Sequence, residues 1–273
     1  APCREALGVA FRALWSAPAA AWGRVSADFG LCPQSRIRNA THLEALIGYL
    51  QQQLSDLAFA NYPYGVGSLP AHPVAYACSR VHTSDGSERD GWLPLRDALA
   101  WRPLSPRGAG SSCLALRGAF AAYTPGFLPG PWTFQRCTDV VMAFGVRNTS
   151  RMFLPCDGAN GFRANCAAEG QAALRDFCAR EFAAVVPDSA ELQAIWGRNW
   201  TATGGGSRIV FSNGALDPWS YGGVHPADPT GPSSTGDADD GPLLIQIAAG
   251  AHHLDLRAPN AADPPSVVTA REH

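Results

Sequence analysis

Arg208 to Trp219, R-I-V-F-S-N-G-A-L-D-P-W, is the stretch from which the fold is read, together with Gly250 to Arg257, G-A-H-H-L-D-L-R. Ile209, Val210 and Phe211 form a short apolar run rich in β-branched residues, a pattern that reads as a buried strand. The run meets the turn signal Asn213-Gly214 and delivers Asp217 from the loop beyond. A second run, Leu243 to Ile247, delivers His252 and His253 after Gly250.

An Asp and then a His, each just past the end of a strand, make up the second half of the Ser, Asp, His chain order of α/β-hydrolases. Taken singly, each residue has a plainer explanation. An Asp before Pro is a common turn residue, and a His pair is a common polar loop end. Their order and their placement on strand ends agree with one mechanism, in which Asp217 orients a histidine of the His252-His253 pair and that histidine moves a proton. The nucleophile is missing from this pattern. No serine sits in G-x-S-x-G: Ser112 and Ser207 each follow a glycine by two residues but have Leu114 and Ile209 two residues after. Ser220 has Pro218 two residues before it, where a sharp strand-to-helix elbow needs a small residue, and it belongs to the loop of Asp217.

The 273 residues, 46% of them hydrophobic, carry a net charge of −2, as expected for a globular chain of one or two domains. No basic field argues for nucleic acid. No apolar run reaches the roughly 18 residues of a membrane-spanning helix. The opening A-P-C-R-E-A-L-G has no basic stretch followed by an apolar core, so a signal peptide is not expected within it. Eight cysteines without a C-x-x-C pair read as a disulfide framework rather than a zinc or redox site. The sequons at Asn39, Asn148 and Asn199 agree with a glycosylating, oxidising compartment.

Residues 1–203 are expected to be mostly helical. The clearest helix begins at Thr41, where Thr41-His42-Leu43-Glu44 has the pattern of a capping box, and Leu43, Leu46, Ile47, Leu50, Leu54 and Leu57 mark one buried face. Further helices are expected at Arg4 to Trp15, Arg89 to Trp101, Gln171 to Phe182 and Ser189 to Trp196. Beyond Gly204-Gly205-Gly206 the composition shifts to strand and loop, which sets a domain boundary there and makes 204–273 the segment carrying Asp217 and His252. His225 to Gly241 reads as a solvated surface insertion. Its Asp228, Asp237, Asp239 and Asp240 lack the spacing of an EF-hand loop. A metal site built from His225, His252, His253 and Asp255 would lack both H-E-x-x-H and paired cysteines, so no metal and no cofactor is expected.

F-S-N-G-A-L-D-P-W-S-Y-G-G-V, then G-A-H-H-L-D-L-R and D-P-P-S-V-V-T-A-R, closely resemble the closing segment of the lysosomal Pro-X carboxypeptidase and dipeptidyl peptidase 2 family of serine peptidases. N-Y-P-Y (Asn61 to Tyr64), L-P-A-H-P-V (Leu69 to Val74) and C-T-D-V-V-M-A-F (Cys137 to Phe144) extend the likeness upstream. The resemblance implies an α/β class: the C-terminal part of an α/β-hydrolase with a helical, disulfide-bearing cap over residues 1–203. It implies Asp217 and His252 as triad acid and base, and Trp219 as the wall of a proline pocket. It also implies bridges Cys3 to Cys78, Cys32 to Cys113 and Cys137 to Cys178, with Cys156 and Cys166 paired in a local insertion. Ser220-Tyr221-Gly222-Gly223 repeats part of the family's nucleophile motif, but in the acid loop.

The expected activity is cleavage of peptide bonds next to proline, in the lysosome or vacuole or after secretion. A carboxypeptidase is slightly preferred over a dipeptidyl peptidase, because residues 114–136 hold Arg117 and Arg136 but no acid. Gly145, where the carboxypeptidase branch has a cysteine, weighs the other way. The expected partner is a proline-containing peptide, and the resemblance leaves a homodimer open. An α/β-hydrolase sheet needs more parallel strands than the last two seen here. The chain is therefore expected to be the C-terminal portion of a longer enzyme, inactive without an N-terminal segment bearing the serine. The alternative is an inactive, disulfide-stapled interaction protein derived from the same family.

Overall fold

The computed structural model describes residues 2–81, 91–101, 113–116, 130–140, 152–154, 167–196, 209–225 and 242–272. They group into two compact units, one of residues 1–54 and 77–187, the other of residues 55–76 and 188–273. The composition-based boundary lies at residue 204. The two units divide at residue 188 and group 55–76 with the C-terminal residues.

Helices and loops make up the described residues of the first unit, with one isolated β-bridge between Leu31 and Leu114. The unit contains α1 (Pro2–Trp15), α2 (Trp22–Asp28), most of α3 (Ala40–Phe59), α4 (Pro73–Ser79, from Ala77 on), α5 (Leu93–Leu99), α6 (Pro131–Thr138) and α7 (Ala167–Phe182). On α1, Leu7, Ala10, Phe11 and Leu14 recur at helical spacing and are buried. In α3 Leu43, Leu46, Ile47, Leu50, Leu54 and Leu57 are all buried, as their spacing predicts. Each fully buried leucine contributes about 1.5–3 kcal/mol. The start of α3 differs from the capping-box expectation. Asn39 Oδ1 accepts the His42 N–H at 2.9 Å, so Asn39 supplies the cap and Thr41 lies inside the helix.

α5 packs on α1, and the Trp92 indole N–H donates to Asp28 Oδ2 at 2.8 Å. Three disulfides fasten this unit: Cys3–Cys78, Cys32–Cys113 and Cys137–Cys178. The last ties α6 to α7, where Leu174 and Phe177 pack around it. Cys156 and Cys166 lie outside the described residues, as do Asn148, Asn199, Arg117 and the aspartates of 226–241.

The second unit holds α8 (Ser189–Trp196), β1 (Val210–Gly214), β2 (Leu243–Ile247) and α9 (Pro265–Glu272). α8 opens on a capping box absent from the sequence expectations. Asp188 Oδ1 accepts the N–H groups of Ala190 and Glu191, and Glu191 Oε2 accepts the Asp188 N–H. β1 and β2 pair in parallel, with Val210 opposite Leu243 and Gly214 opposite Ile247. Asn213 and Gly214, expected to form a turn, instead continue the strand: Asn213 is buried and its amide donates to the Val224 carbonyl. Val210, on β1, is 53% exposed. Tyr62, Ile247, Ala251, Leu254 and Val267 form the core of this unit.

Candidate active site

Both parallel strands end at the same edge, so the loops that follow them start side by side. Two glycines set how closely these loops approach. A β-carbon on Gly214 would lie 2.3 Å from the Gly250 carbonyl oxygen, and one on Gly250 would lie 3.0 Å from Gly214 Cα. Neither glycine is needed for its backbone angle; both are needed for space. Through this gap the Ala215 N–H reaches the Ile247 carbonyl and the Leu216 N–H reaches the Gly250 carbonyl, each at 2.9 Å.

Asp217 then serves two partners. It caps a short 3₁₀ turn (Pro218–Gly222), with Oδ1 accepting the Trp219 N–H at 2.8 Å. Pro218 occupies the first position of that turn, where a missing N–H costs nothing. The other oxygen, Oδ2, lies 2.9 Å from His252 Nδ1. A carboxylate only accepts, so the proton sits on Nδ1 and the lone pair on Nε2 is left for chemistry. Among the described residues no protein group hydrogen-bonds Nε2. The pair is sheltered but reachable, with the His252 side chain 26% and the Asp217 side chain 14% exposed.

Around the imidazole stand aromatic rings: Phe59 edge-on at 5.1 Å, Trp219 at 6.1 Å and His253 stacked at 3.7 Å. Phe59 and Trp219 also meet at 5.9 Å. The His252 carbonyl accepts the Tyr62 hydroxyl at 2.8 Å. The guanidinium of Arg257 lies over the Tyr62 ring and donates to the Tyr64 hydroxyl. A carboxylate fixed by the backbone, an imidazole held in one tautomer and an apolar surround are what the base half of a nucleophilic hydrolase site requires.

The other sequence candidates fall into place around this pair. Ser220 lies on the 3₁₀ turn beyond Asp217, and no hydrogen bond joins its hydroxyl to His252. His225 binds the Ser220 carbonyl through Nε2 and accepts from Gln246 through Nδ1, while Asp255 accepts the Ser212 hydroxyl. No group of three or more His, Cys, Asp or Glu suited to a metal occurs among the described residues. Arg136 is 5% exposed, and desolvation lowers its pKa. Phe59 and the contacts of Tyr62 with the histidine turn were not foreseen. N-Y-P-Y drew notice only as a resemblance, and nothing local to it points at a residue far along the chain.

A model of the serine carboxypeptidase S28 family matches residues 123–273. The chain belongs to the serine carboxypeptidase S28 family. This is a peptidase family of α/β-hydrolase type. Among similar proteins, the lysosomal Pro-X carboxypeptidase of Homo sapiens is 30% identical over 245 residues, covering 88% of this chain and 43% of the relative. That of Mus musculus is 31% identical over 233 residues, covering 84% of this chain and 41% of the relative. A prolyl carboxy peptidase like protein of Caenorhabditis elegans is 26% identical over 249 residues, covering 89% and 46%. The chain thus spans less than half the length of the curated relatives it matches. Among the described residues no helix is long and apolar enough to cross a membrane.

Proposed function

We propose that this chain supplies the acid and the base of a Ser-His-Asp triad in a serine exopeptidase that cleaves beside proline, releasing the residue that follows it at the C-terminus. The observation that carries this proposal is the 2.9 Å bond between His252 Nδ1 and Asp217 Oδ2, made by loops that leave paired parallel strands in an S28 family chain. His252 Nε2 takes the proton of the attacking hydroxyl and returns it to the leaving amine, while Asp217 stabilises the imidazolium formed in between. The nucleophile is taken to be a serine outside these 273 residues, since none of those present lies in G-x-S-x-G.

Trp219 and Phe59 offer flat apolar surface beside the imidazole, suited to a pyrrolidine ring. The preference for a C-terminal residue over an N-terminal dipeptide rests on the names of the similar proteins, which are carboxypeptidases. A lysosomal or secreted location accords with those names and with the three disulfides. The bridge between Cys156 and Cys166, the sequons, including the exposed Asn39, and a homodimer belong to the same proposal.

A fluorophosphonate probe tests the proposal. The 273 residues alone should not label and should not hydrolyse proline-containing peptides. Co-expression with a G-x-S-x-G-bearing segment should restore both. Stoichiometric labelling of the isolated chain at Ser220 would overturn the assignment. Silence even in the longer protein would favour an interaction protein that has lost catalysis.

A further inference from the structure

α9 grips the histidine turn on both sides of His252. Before the histidine, the Ser266 hydroxyl accepts the Ala249 N–H at 3.2 Å. After it, Arg271 donates from Nη2 to the Leu254 carbonyl at 2.7 Å and from Nε to the Asp255 carbonyl at 2.9 Å. Its remaining arm, Nη1, meets Asp263 Oδ2 at 2.7 Å. The Asp263 side chain is 1% exposed, and Oδ2 also accepts the Asn260 N–H. A guanidinium presents its N–H groups in a rigid planar fork. Two carbonyls of adjacent residues and a buried carboxylate on that fork fix the course of the chain between them.

His253 directly precedes that stretch, with φ of 56°, in the left-handed region that side chains with a β-carbon rarely adopt. Such a conformation persists where the surroundings over-determine it. The carbonyl on its N-terminal side, that of His252, takes the Tyr62 hydroxyl, and the carbonyls of Leu254 and Asp255 take Arg271. The bend at His253 is thus held from both flanks, and the residue it presents is His252.

We infer that Arg271 is a positioning residue that holds the left-handed bend at His253 and thereby keeps the His252 imidazole on Asp217. Arg271 touches neither imidazole nor carboxylate of that pair and acts through the backbone of the turn. The inference rests on the proposed peptidase only for its effect on turnover; its effect on the hydrogen bond stands apart from any activity.

The test is made in the full protein with Arg271→Gln and Arg271→Lys, both with and without His253→Gly. The direct readout is the His252 Nδ1–H proton, observed by NMR after ¹⁵N-histidine labelling, since a proton held by Asp217 exchanges slowly. Both substitutions should broaden or abolish it. Lysine keeps a charge opposite Asp263 but has no fork to hold two carbonyls. Glycine adopts positive φ freely, so His253→Gly should recover part of the signal in either background. With a proline-containing peptide, kcat should fall about 10²-fold with KM little changed, the scale of a reacting group displaced by roughly 1 Å.

The inference is overturned if the Nδ1–H signal survives Arg271→Gln, if lysine restores it in full, or if His253→Gly gives no recovery. If Arg271→Gln does not accumulate as folded protein, Arg271→Lys with and without His253→Gly decides the same question. Loss of the signal in a protein whose wild type never cleaves peptides would uphold the positioning role and refute the proposed function. Unchanged turnover in an active protein would do the reverse.

Discussion

Replacing Gly214 with alanine should uncouple Asp217 from His252 without touching either residue. The added β-carbon would sit 2.3 Å from the Gly250 carbonyl oxygen and 2.7 Å from its carbon, both of them backbone atoms with no rotamer to escape into. Non-bonded contacts relax near about 3.5 Å, so the Gly250 segment must withdraw by roughly 1 Å. That movement stretches the bond from the Leu216 N–H to the Gly250 carbonyl, now 2.9 Å, beyond hydrogen-bonding range. Overpacking plus the lost bond amount to about 2–4 kcal/mol, or a fall in melting temperature on the order of 10 °C. Asp217 follows Leu216 directly and His252 lies two residues beyond Gly250, so the pair separates with the loops. Turnover of a proline-containing peptide should fall by about 10². Gly222 gives the control, since a β-carbon there meets nothing within 4 Å and its φ is not positive. Gly222→Ala should therefore behave as wild type. The close approach of the loops would be refuted as the device that holds the pair if Gly214→Ala melted with wild type and retained full activity.

Asp217→Asn should preserve the fold but lower turnover by about 10⁴, because an amide cannot select the Nδ1–H tautomer as a carboxylate does; steady-state kinetics on the full protein check this, and near-native rates would remove Asp217 from the proposed triad. Asn39 caps α3 through Oδ1, while a glycan would attach at Nδ2. Asn39→Asp should accordingly abolish any glycosidase-sensitive mass at that residue with stability retained, whereas Asn39→Ala should cost about 1 kcal/mol in denaturant unfolding. Burial alone would raise the Asp263 pKa, but hydrogen bonds from Arg271 and the Asn260 N–H, with the charge of Arg271, carry it below its ordinary 3.8. A depressed carboxylate stabilises the fold above its unfolded pKa and loses that contribution as pH falls through the folded value. The stability gap between wild type and Asp263→Asn should be constant above about pH 5 and close below 3.8, and a gap that widened with acid would contradict the ion pair.

Local periodicity made most of the helices legible. Leu43 to Leu57 repeat at helical spacing because one face of α3 must be buried, and the structure buries each of them. The ends of elements were harder, since several residues compete for each cap. Thr41 and Glu44 fit a capping-box pattern, but Asn39, two residues earlier, reaches the His42 N–H first. Asp188 and Glu191 form such a box in fact. Asn213-Gly214 illustrates a different ambiguity. The dipeptide commonly turns a hairpin, but here β1 pairs in parallel and does not reverse, so Asn213 stays in register with Gln246. Gly214 serves by lacking a β-carbon, a use that depends on Gly250 and on no local preference.

At the candidate site, the plain reading of Asp217 and the proposed one rest on a single arrangement. An Asp before Pro is a turn-forming residue, and Asp217 does cap the turn that begins at Pro218. That cap occupies one carboxylate oxygen and leaves the other for His252. The histidine is aimed differently, by groups distant in sequence. Tyr62 binds the carbonyl of a residue 190 positions away, and Arg271 binds Leu254 from 17 positions beyond. A motif records residues that are neighbours in sequence, so it can present an Asp and a His at strand ends. It carries no trace of a hydroxyl or a guanidinium that reaches the same turn from another element. The placement of Asp217 was legible because its support is local; that of His252 was not, because its support is assembled only when residues 55–76 and α9 pack into one unit with β2.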